Sequence, residues 1–494
     1  MIWPDGQALP HFTSPDRLDV IDLRVSPPAE VLLALTLQGV VNRSRPRIWL
    51  VRDADEGSHT WLDTLALPTA PVESVDALVA RHRGEIRGAI VADPTVPATR
   101  NVATTLAGLE DAVVAEPAAA ERLGLPVLAD LRGRFAGDLQ AYRWAVDHLW
   151  PRTTHRMLVG IDHDGPGFAR DYAVANRAFV IWANPGARRD RALLKRLLGA
   201  MPASSPYVGW WPHGVSGESS GTEFASRHAV YVVPADHSQN LTVLGGVRPA
   251  PAPPRPAPEV PPLEDRTYVT FTMTDGDNLQ YCQHAMRRLW DLPERGRTPL
   301  NWTVSPLLRD AAPAILDYYR RTAGPNDMLV VGPSGAGYAY PGAWPAPHLA
   351  AFTRRTGEYA GDLGEPVVVN VLNRRYRLDR DLTARQVAAY ARDVRPVGLL
   401  QHWGRRHSIR TVAGLPVATG HLVSTVDECR RALRRAAGAR FVSIGVLAWS
   451  LTPADIATVA GELDDRYRVV RADHLLRLAR GPSDQSSAQV ARTP

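Results

Sequence analysis

Cysteine is almost missing from this chain: Cys282 and Cys429 are the only two in 494 residues. Two thiols cannot build the disulfide framework of a small secreted fold. No histidine partner is evident for Cys282, so both read as free buried thiols. Lysine is scarcer still. Lys195 is the only one among 57 basic residues, which face 51 acidic ones for a net charge of +6. The arginines are spread over both halves, with no basic run interleaved with aromatics and no zinc-finger or RNA-binding signature. That argues against nucleic acid as a partner. Long apolar runs are also lacking. None reaches the ~18 residues needed to span a bilayer, so no membrane partner is expected. Residues 1–12, MIWPDGQALPHF, have neither the basic start nor the apolar stretch of a signal peptide. A soluble, cytoplasmic protein is the expectation. No Walker A or dinucleotide glycine motif joins a strand to a helix, and HExxH and HxxxH are absent. No cofactor and no metal are expected.

What is present is an alternation of short apolar runs and helical spacings. From Leu18 to Val233 it reads as βαβ units around mostly parallel sheets. Residues 1–248 then form an N-terminal α/β region, with three subdomains at about 15–83, 84–155 and 156–247. Residues 248–262, RPAPAPPRPAPEVPP, hold eight prolines; residues 249–262 are a semi-rigid linker. Residues 263–480 then give eight βα steps. The predicted strands are 268–273, 300–304, 328–331, 367–371, 397–400, 416–418, 441–447 and 467–470. Number and length match a C-terminal (β/α)8 TIM barrel, with a doubly wound open sheet as the alternative. Residues 481–494 are small and polar, and read as a disordered tail.

The stretch Thr267–Tyr281, TYVTFTMTDGDNLQY, opens that second half. A strand of β-branched and aromatic residues breaks into Asp275-Gly276-Asp277-Asn278. In α/β folds, active sites gather at the carboxyl ends of strands. An acidic Asp-Gly turn is the plain alternative. The other predicted strand ends add Ser305, Asn370, Gln401, His402, Trp403, Thr419, His421, Trp449, Ser450, Asp473 and His474. Amides, imidazoles, acids and exposed aromatics on one rim suit a sugar, which needs hydroxyl partners and a flat apolar face.

Glycoside hydrolysis needs two carboxyl groups across the scissile bond. Asp275 and Asp277, two apart in sequence, are the first candidates. Asp473 is their expected partner, because strand eight of a closed barrel lies beside strand one; it also suits a helix N-cap. Glu218 and Asp236 are further candidates from the N-terminal loops, Glu218 equally as a solvated acid. Asn278, Tyr338, Tyr340, Asn370, His402, Trp403 and Trp449 are the expected sugar contacts. A metal-dependent alternative groups Asp275, Asp277, His402 and His474, as in carbohydrate deacetylases. Asp275-Gly276-Asp277 is not an EF-hand, since Met286 stands where its last ligand would be. A non-catalytic glycan-binding protein is the third reading.

The loop Gly335–Pro341, GAGYAYP, matches a signature at every fixed position: Gly335, Gly337, Tyr338, Tyr340 and Pro341. Here the chain resembles the GxGYxYP family of "putative glycoside hydrolases". LQGVVNR (Leu37–Arg43), TDGDN and ADHSQN (Ala235–Asn240) are similar to stretches of that family in the same order. The resemblance spans about residues 17–478. It implies small N-terminal α/β domains, a TIM-barrel-like C-terminal domain and a carbohydrate substrate. Locally, Gly335 and Gly337 allow unusual backbone angles, and Tyr338 and Tyr340 can either face a pocket or pack the loop.

Overall fold

The computed structural model describes residues 1–52, 59–165, 167–212, 214–250, 258–403 and 406–480. Residues 251–257 of the expected linker, and the expected tail, lie outside them. The chain divides into two compact units, residues 1–250 with 307–316, and residues 251–306 with 317–494. Among the described residues no helix is long and apolar enough to cross a membrane.

The first unit holds three small parallel sheets. Strands β1 (Leu18–Asp22), β2 (Ile48–Val51) and β3 (Thr69–Pro71) run in the order β2-β1-β3. Strands β4 (Ala89–Val91), β5 (Val113–Val114) and β6 (Val127–Asp130) run β5-β4-β6. Strands β7 (Thr154–Gly160), β8 (Ala178–Ile181), β9 (Ser205–Gly209) and β10 (Val230–Val233) run β10-β9-β7-β8. The departures from expectation are local. The predicted loop around Glu218 is the helix Gly214–Ser226, and β3, β6 and β7 were not anticipated, β7 because its first three residues are Thr, His and Arg.

The motif LQGVVNR lies on the helix Pro28–Ser44, which is buried almost throughout its second half. Gly39 permits that burial. A Cβ there would come within 2.6 Å of the Asp171 carbonyl and of Val174, so only glycine lets this helix reach the helix Arg170–Ala175. Buried amides then tie the region together. The Gln38 side chain donates to the Ile48 carbonyl and to Asn240 Oδ1 at 2.7 Å. Asn42 donates to the Ile48 carbonyl and to Thr242, and accepts from the Arg47 and Ile48 amides. Asn240 pairs with both backbone groups of Leu50. LQGVVNR and ADHSQN are therefore partners in one buried network that satisfies strand backbone, as buried polar groups require.

The second unit is one large curled sheet. Its strands are β11 (Thr267–Met273), β12 (Leu300–Val304), β13 (Asp327–Val331), β14 (Val368–Asn370), a short hairpin of β15 (Arg374–Arg375) and β16 (Leu378–Asp379), β17 (Gly398–Gln401), β18 (Ser408–Val412), β19 (Leu415–Thr419), β20 (His421–Val423), β21 (Phe441–Val446) and β22 (Tyr467–Val469). Apart from the separate hairpin, the order is β18-β19-β17-β14-β13-β12-β11-β21-β20, parallel except for the β18–β19 pair. The eight expected strands all exist, yet a regular (β/α)8 barrel is not what they make. The eighth, β22, is three residues long and pairs only with the first three residues of β11, while β12 takes the same strand at Thr272 and Met273.

One helix explains how the concave side is filled. Ala472 and Leu476 of the helix Ala472–Arg480 pack with Met328, Val330, Val368, Leu400 and Ala418, from four different strands. Leu475 and Leu478 pack with Tyr268 and Val470. Asn301 of β12 holds the first turn of that helix: Oδ1 accepts the Ala472 amide at 2.8 Å, while Nδ2 donates to Thr270 and the Phe271 carbonyl. Burying the leucine, valine and methionine side chains among them stabilises the unit by roughly 1.5–3 kcal/mol each.

Candidate functional site

The turn after β11 meets the carboxyl ends of its two neighbours, β12 through Thr303 and β21 through Val446. Asp275 has φ +73°, a left-handed conformation that aspartate tolerates better than most residues. Gly276 follows because no side chain fits there: a Cβ would collide with the Thr303 backbone, and its amide donates to Thr303 Oγ1 at 2.9 Å. Thr303 in turn donates to the Met273 carbonyl. Asn278 caps the helix Leu279–Gln283, its Oδ1 accepting the Tyr281 amide at 3.2 Å. The acidic turn is thus a pinned element and not a free loop.

Asp275 is half-buried and its partners are all neutral. It accepts from the Thr274 hydroxyl, and the nearby Trp449 indole and Ala448 backbone N–H also favour its charged form. Burial outweighs those bonds and pushes its carboxyl above the usual range. Asp277 is buried, next to Cys282, whose thiol burial pushes up to about 12. Tyr281 is fully buried beside Asp275, its ring centroid 5.4 Å from that of Trp449, and its hydroxyl has no hydrogen-bond partner. Tyr281 was not anticipated as a site residue, although it closes the same TDGDNLQY stretch.

The neighbouring strand ends carry further unpartnered polar atoms. Ser305 Oγ after β12, Asn370 Oδ1 at the end of β14 and His402 Nδ1 after β17 are all buried and make no hydrogen bond. The His402 Nε2 faces Ser443 Oγ at 2.9 Å. Burial pushes its pKa down to about 3, so the ring is neutral. It fits only because position 445 is glycine: a Cβ there would lie 2.5 Å from the His402 Cβ. Trp403 and Trp449, by contrast, are exposed at 42% and 52%.

The GAGYAYP loop follows β13. Gly335 and Gly337 have φ +148° and +102°, as their position in the motif requires. Tyr338 and Tyr340 are buried and meet each other, hydroxyl to hydroxyl at 2.8 Å, with rings nearly perpendicular. Ser334 bonds the Ala339 and Leu372 carbonyls, and Tyr390 donates to the Ser334 carbonyl at 2.6 Å. The two tyrosines pack the loop and present no open face for a sugar.

Asp473 stands elsewhere. It sits in the first turn of the helix Ala472–Arg480, fully buried, with both oxygens held by Arg471 at 3.0 and 2.9 Å. Arg471 also donates to the Pro325 carbonyl, just before β13 begins. This is the amino-terminal end of the sheet, opposite the Asp275 turn. The adjacency of strands one and eight is real, but it places Asp473 at the start of β11. His474 goes with it, 3.3 Å from the Pro258 carbonyl. Asp275, Asp277, His402 and His474 therefore do not converge as a metal site. Among the described residues the one three-member group with metal-holding spacing is Asp162, His163 and Asp164, largely exposed, in the first unit. Glu218, half-buried on the helix Gly214–Ser226, and Asp236, half-buried after β10 with His237 at 3.7 Å, also belong to the first unit.

Four family models match the sequence in succession. They are the GxGYxYP_N first domain over residues 17–79, the second domain over 86–153, the third domain over 155–246, and the "GxGYxYP putative glycoside hydrolase C-terminal domain" over 265–480. Among solved structures, the fold is similar to that of a "putative hydrolase" from Bacteroides thetaiotaomicron VPI-5482. The two chains are 22% identical with a TM-score of 0.83, over 97% of this chain and 98% of that one. No curated protein matches the sequence.

Proposed function

Because this chain belongs to the GxGYxYP family, we propose that it is a glycoside hydrolase whose site lies at the carboxyl ends of a barrel-like C-terminal sheet. One observation carries the reading. Buried, unpartnered polar atoms of Tyr281, Ser305, Asn370 and His402 gather at the same strand ends as Asp275 and Asp277. Buried polar groups are expected to be hydrogen-bonded, and a polyhydroxylated ligand supplies donors and acceptors in the required number. Trp403 and Trp449 add exposed indole faces, which stack on the C–H face of a pyranose.

In this mechanism Asp275 is the general acid. Its environment is half-buried and free of cationic partners, and the raised proton affinity suits protonation of a leaving glycosidic oxygen. Asp277 is the carboxylate that acts on the anomeric side, as base or nucleophile. Trp449 and Asn370 orient the sugar, and neutral His402 offers Nδ1 as an acceptor to a hydroxyl.

A non-catalytic glycan-binding role is the second reading, and it too has an observation behind it. Asp275 is the only carboxylate in the first three residues after any strand of β11–β14, β17 and β19–β21, with Asp277 just beyond it on the same turn. The deciding experiment is a glycan screen of wild type beside Asp275→Asn and Asp277→Asn, scored for binding and for product. Cleavage by wild type, lost in both variants with binding retained, supports the hydrolase. Binding by all three proteins with product from none establishes the second reading.

A further inference from the structure

The hairpin of β15 and β16 stands at the same end of the sheet as the site, on the chain that leaves β14 beyond Asn370. Its foot is fastened to the rim on two sides. The Asn373 side chain accepts the Gly342 amide, which directly follows the GAGYAYP loop, and donates to the Asp381 carbonyl at 3.2 Å. The Gln401 side chain, at the end of β17, accepts the Leu382 amide at 3.2 Å and donates to the Arg380 carbonyl at 3.4 Å. His402 and Trp403 come next in the chain after Gln401. Arg375 lies opposite Leu378, so the loop of the hairpin is two residues long, Tyr376 and Arg377. Both have positive φ, +54° and +63°. That is the type I′ turn, for which asparagine and glycine are the favoured pair. A tyrosine and an arginine hold it here at a conformational cost, and Tyr376 is 64% exposed at the tip.

The charges on this hairpin do not cancel. Asp379 is taken by Arg374 at 3.2 Å, and Asp381 by Arg410 at 2.8 Å. Arg375 donates to the Tyr376 hydroxyl at 3.3 Å and holds its guanidinium 4.9 Å from the centre of that ring. Arg375 and Arg380 are exposed, and among the described residues neither meets a carboxylate. An exposed ring beside a cation offers what an acidic sugar needs: a flat apolar face, and a planar donor that takes two anion oxygens at once. We propose that the hairpin Arg374–Asp379 is the arm by which this protein recognises an anionic glycan. The face of Tyr376 that Arg375 leaves open stacks on a sugar ring, and Arg375 and Arg380 take its carboxylate or sulfate groups. This names the substrate class of the site proposed above and rests on that reading. A glycan is favoured over a nucleic acid because the foot of the hairpin is held by the residue that precedes His402 and Trp403, which belong to the sugar site.

Affinity electrophoresis of the full chain in gels holding polygalacturonate, dextran sulfate or neutral dextran tests this. Retardation by either polyanion and not by dextran is expected. The polyanion that binds identifies the group, a carboxylate for polygalacturonate and a sulfate for dextran sulfate. Arg375→Gln combined with Arg380→Gln should weaken that binding by about tenfold or more, the range for hydrogen bonds to charged groups. Arg188→Gln combined with Arg189→Gln removes the same charge from two exposed arginines of the first unit and should leave binding within about twofold. Tyr376→Asn combined with Arg377→Gly gives the turn its favoured pair. It should hold or raise the melting temperature and still weaken binding several-fold. Retardation by neither polyanion overturns the proposal. So does an equal loss in the two double arginine variants, which net charge alone predicts, or binding untouched by the turn replacement. Tighter binding of a single-stranded oligonucleotide, lost with Arg375 and Arg380, overturns it in favour of nucleic acid. Cleavage of a neutral glycan with no polyanion bound sinks this inference and leaves the hydrolase reading. Polyanion binding through the hairpin with no glycan cleaved does the reverse, so the two failures are told apart.

Discussion

Asp473 and Asp275 are both withdrawn from water at opposite ends of the same sheet, and their partners differ in kind. At the strand starts, Asp473 meets a guanidinium with both oxygens. At the strand ends, Asp275 bonds the Thr274 hydroxyl, with an indole and a backbone amide nearby, none of them charged. The first arrangement locks a helix inside the sheet. The second leaves a carboxyl whose proton affinity is raised by burial. Burial alone therefore does not distinguish a structural acid from a chemical one; the charge of its partners does.

The comparison can be broken at several points. The largest effect is expected on turnover. Asp275→Asn and Asp277→Asn should each lower glycan cleavage by ~100- to 10,000-fold, the range of a lost general acid or base. A Tyr390→Phe control, far from both acids in the sequence, should retain most of it. Next comes the ion pair. Arg471→Met leaves Asp473 buried without its cation and should cost about 3–5 kcal/mol in denaturant unfolding, the range for a broken buried pair. A cost near zero would remove the structural role assigned to that end. Gly445→Ala should cost about 1–3 kcal/mol by driving a methyl into His402. The loss should be partly recovered in Gly445→Ala combined with His402→Gly, which removes the Cβ it meets, as a double-mutant cycle would reveal.

The smallest effect is the sharpest test of the contrast. A carboxyl whose folded pKa is raised destabilises the fold as pH rises from the unfolded value, ~3.9, through the folded one. Asp275→Asn should thus be more stable than wild type at pH 7, by about 1.4 kcal/mol for every pH unit that separates the folded value from the unfolded one. The gap should close as pH falls below about 4. Thermal unfolding over a pH series measures it, and a gap independent of pH would contradict the assignment.

Much of the second unit was legible in the sequence. The run TYVTFTM is β-branched and aromatic, and it is β11 to within a residue. LNWTV and FVSIGV are as clear, because strands buried on both faces read as continuous apolar runs. GAGYAYP marked a loop, and its positive-φ glycines follow from the motif. What failed was the direction of side chains and the end of the sheet to which each belongs. Tyr338 and Tyr340 could have faced outward; only the fold turned their hydroxyls to each other. Asp473 carried a readable hint, since Arg471 lies two residues before it. The hint competed with an eight-strand scheme that placed it at the opposite rim. Trp449 and Asp275 are 174 positions apart in the chain, and nothing local could pair them.

Local composition determined the elements: apolar periodicity decides strand or helix within a few residues, and glycine or aspartate decides where they break. It determined the family as well, through GAGYAYP and the order of the other motifs. The tertiary structure alone decided which polar groups are buried, with what partner, and at which end of the sheet. Those are the properties that set proton affinity, because desolvation and neighbouring charge act through space and not along the chain. The acidic turn TDGDN could be seen at once; that its first aspartate sits without a cation beside an exposed tryptophan could not.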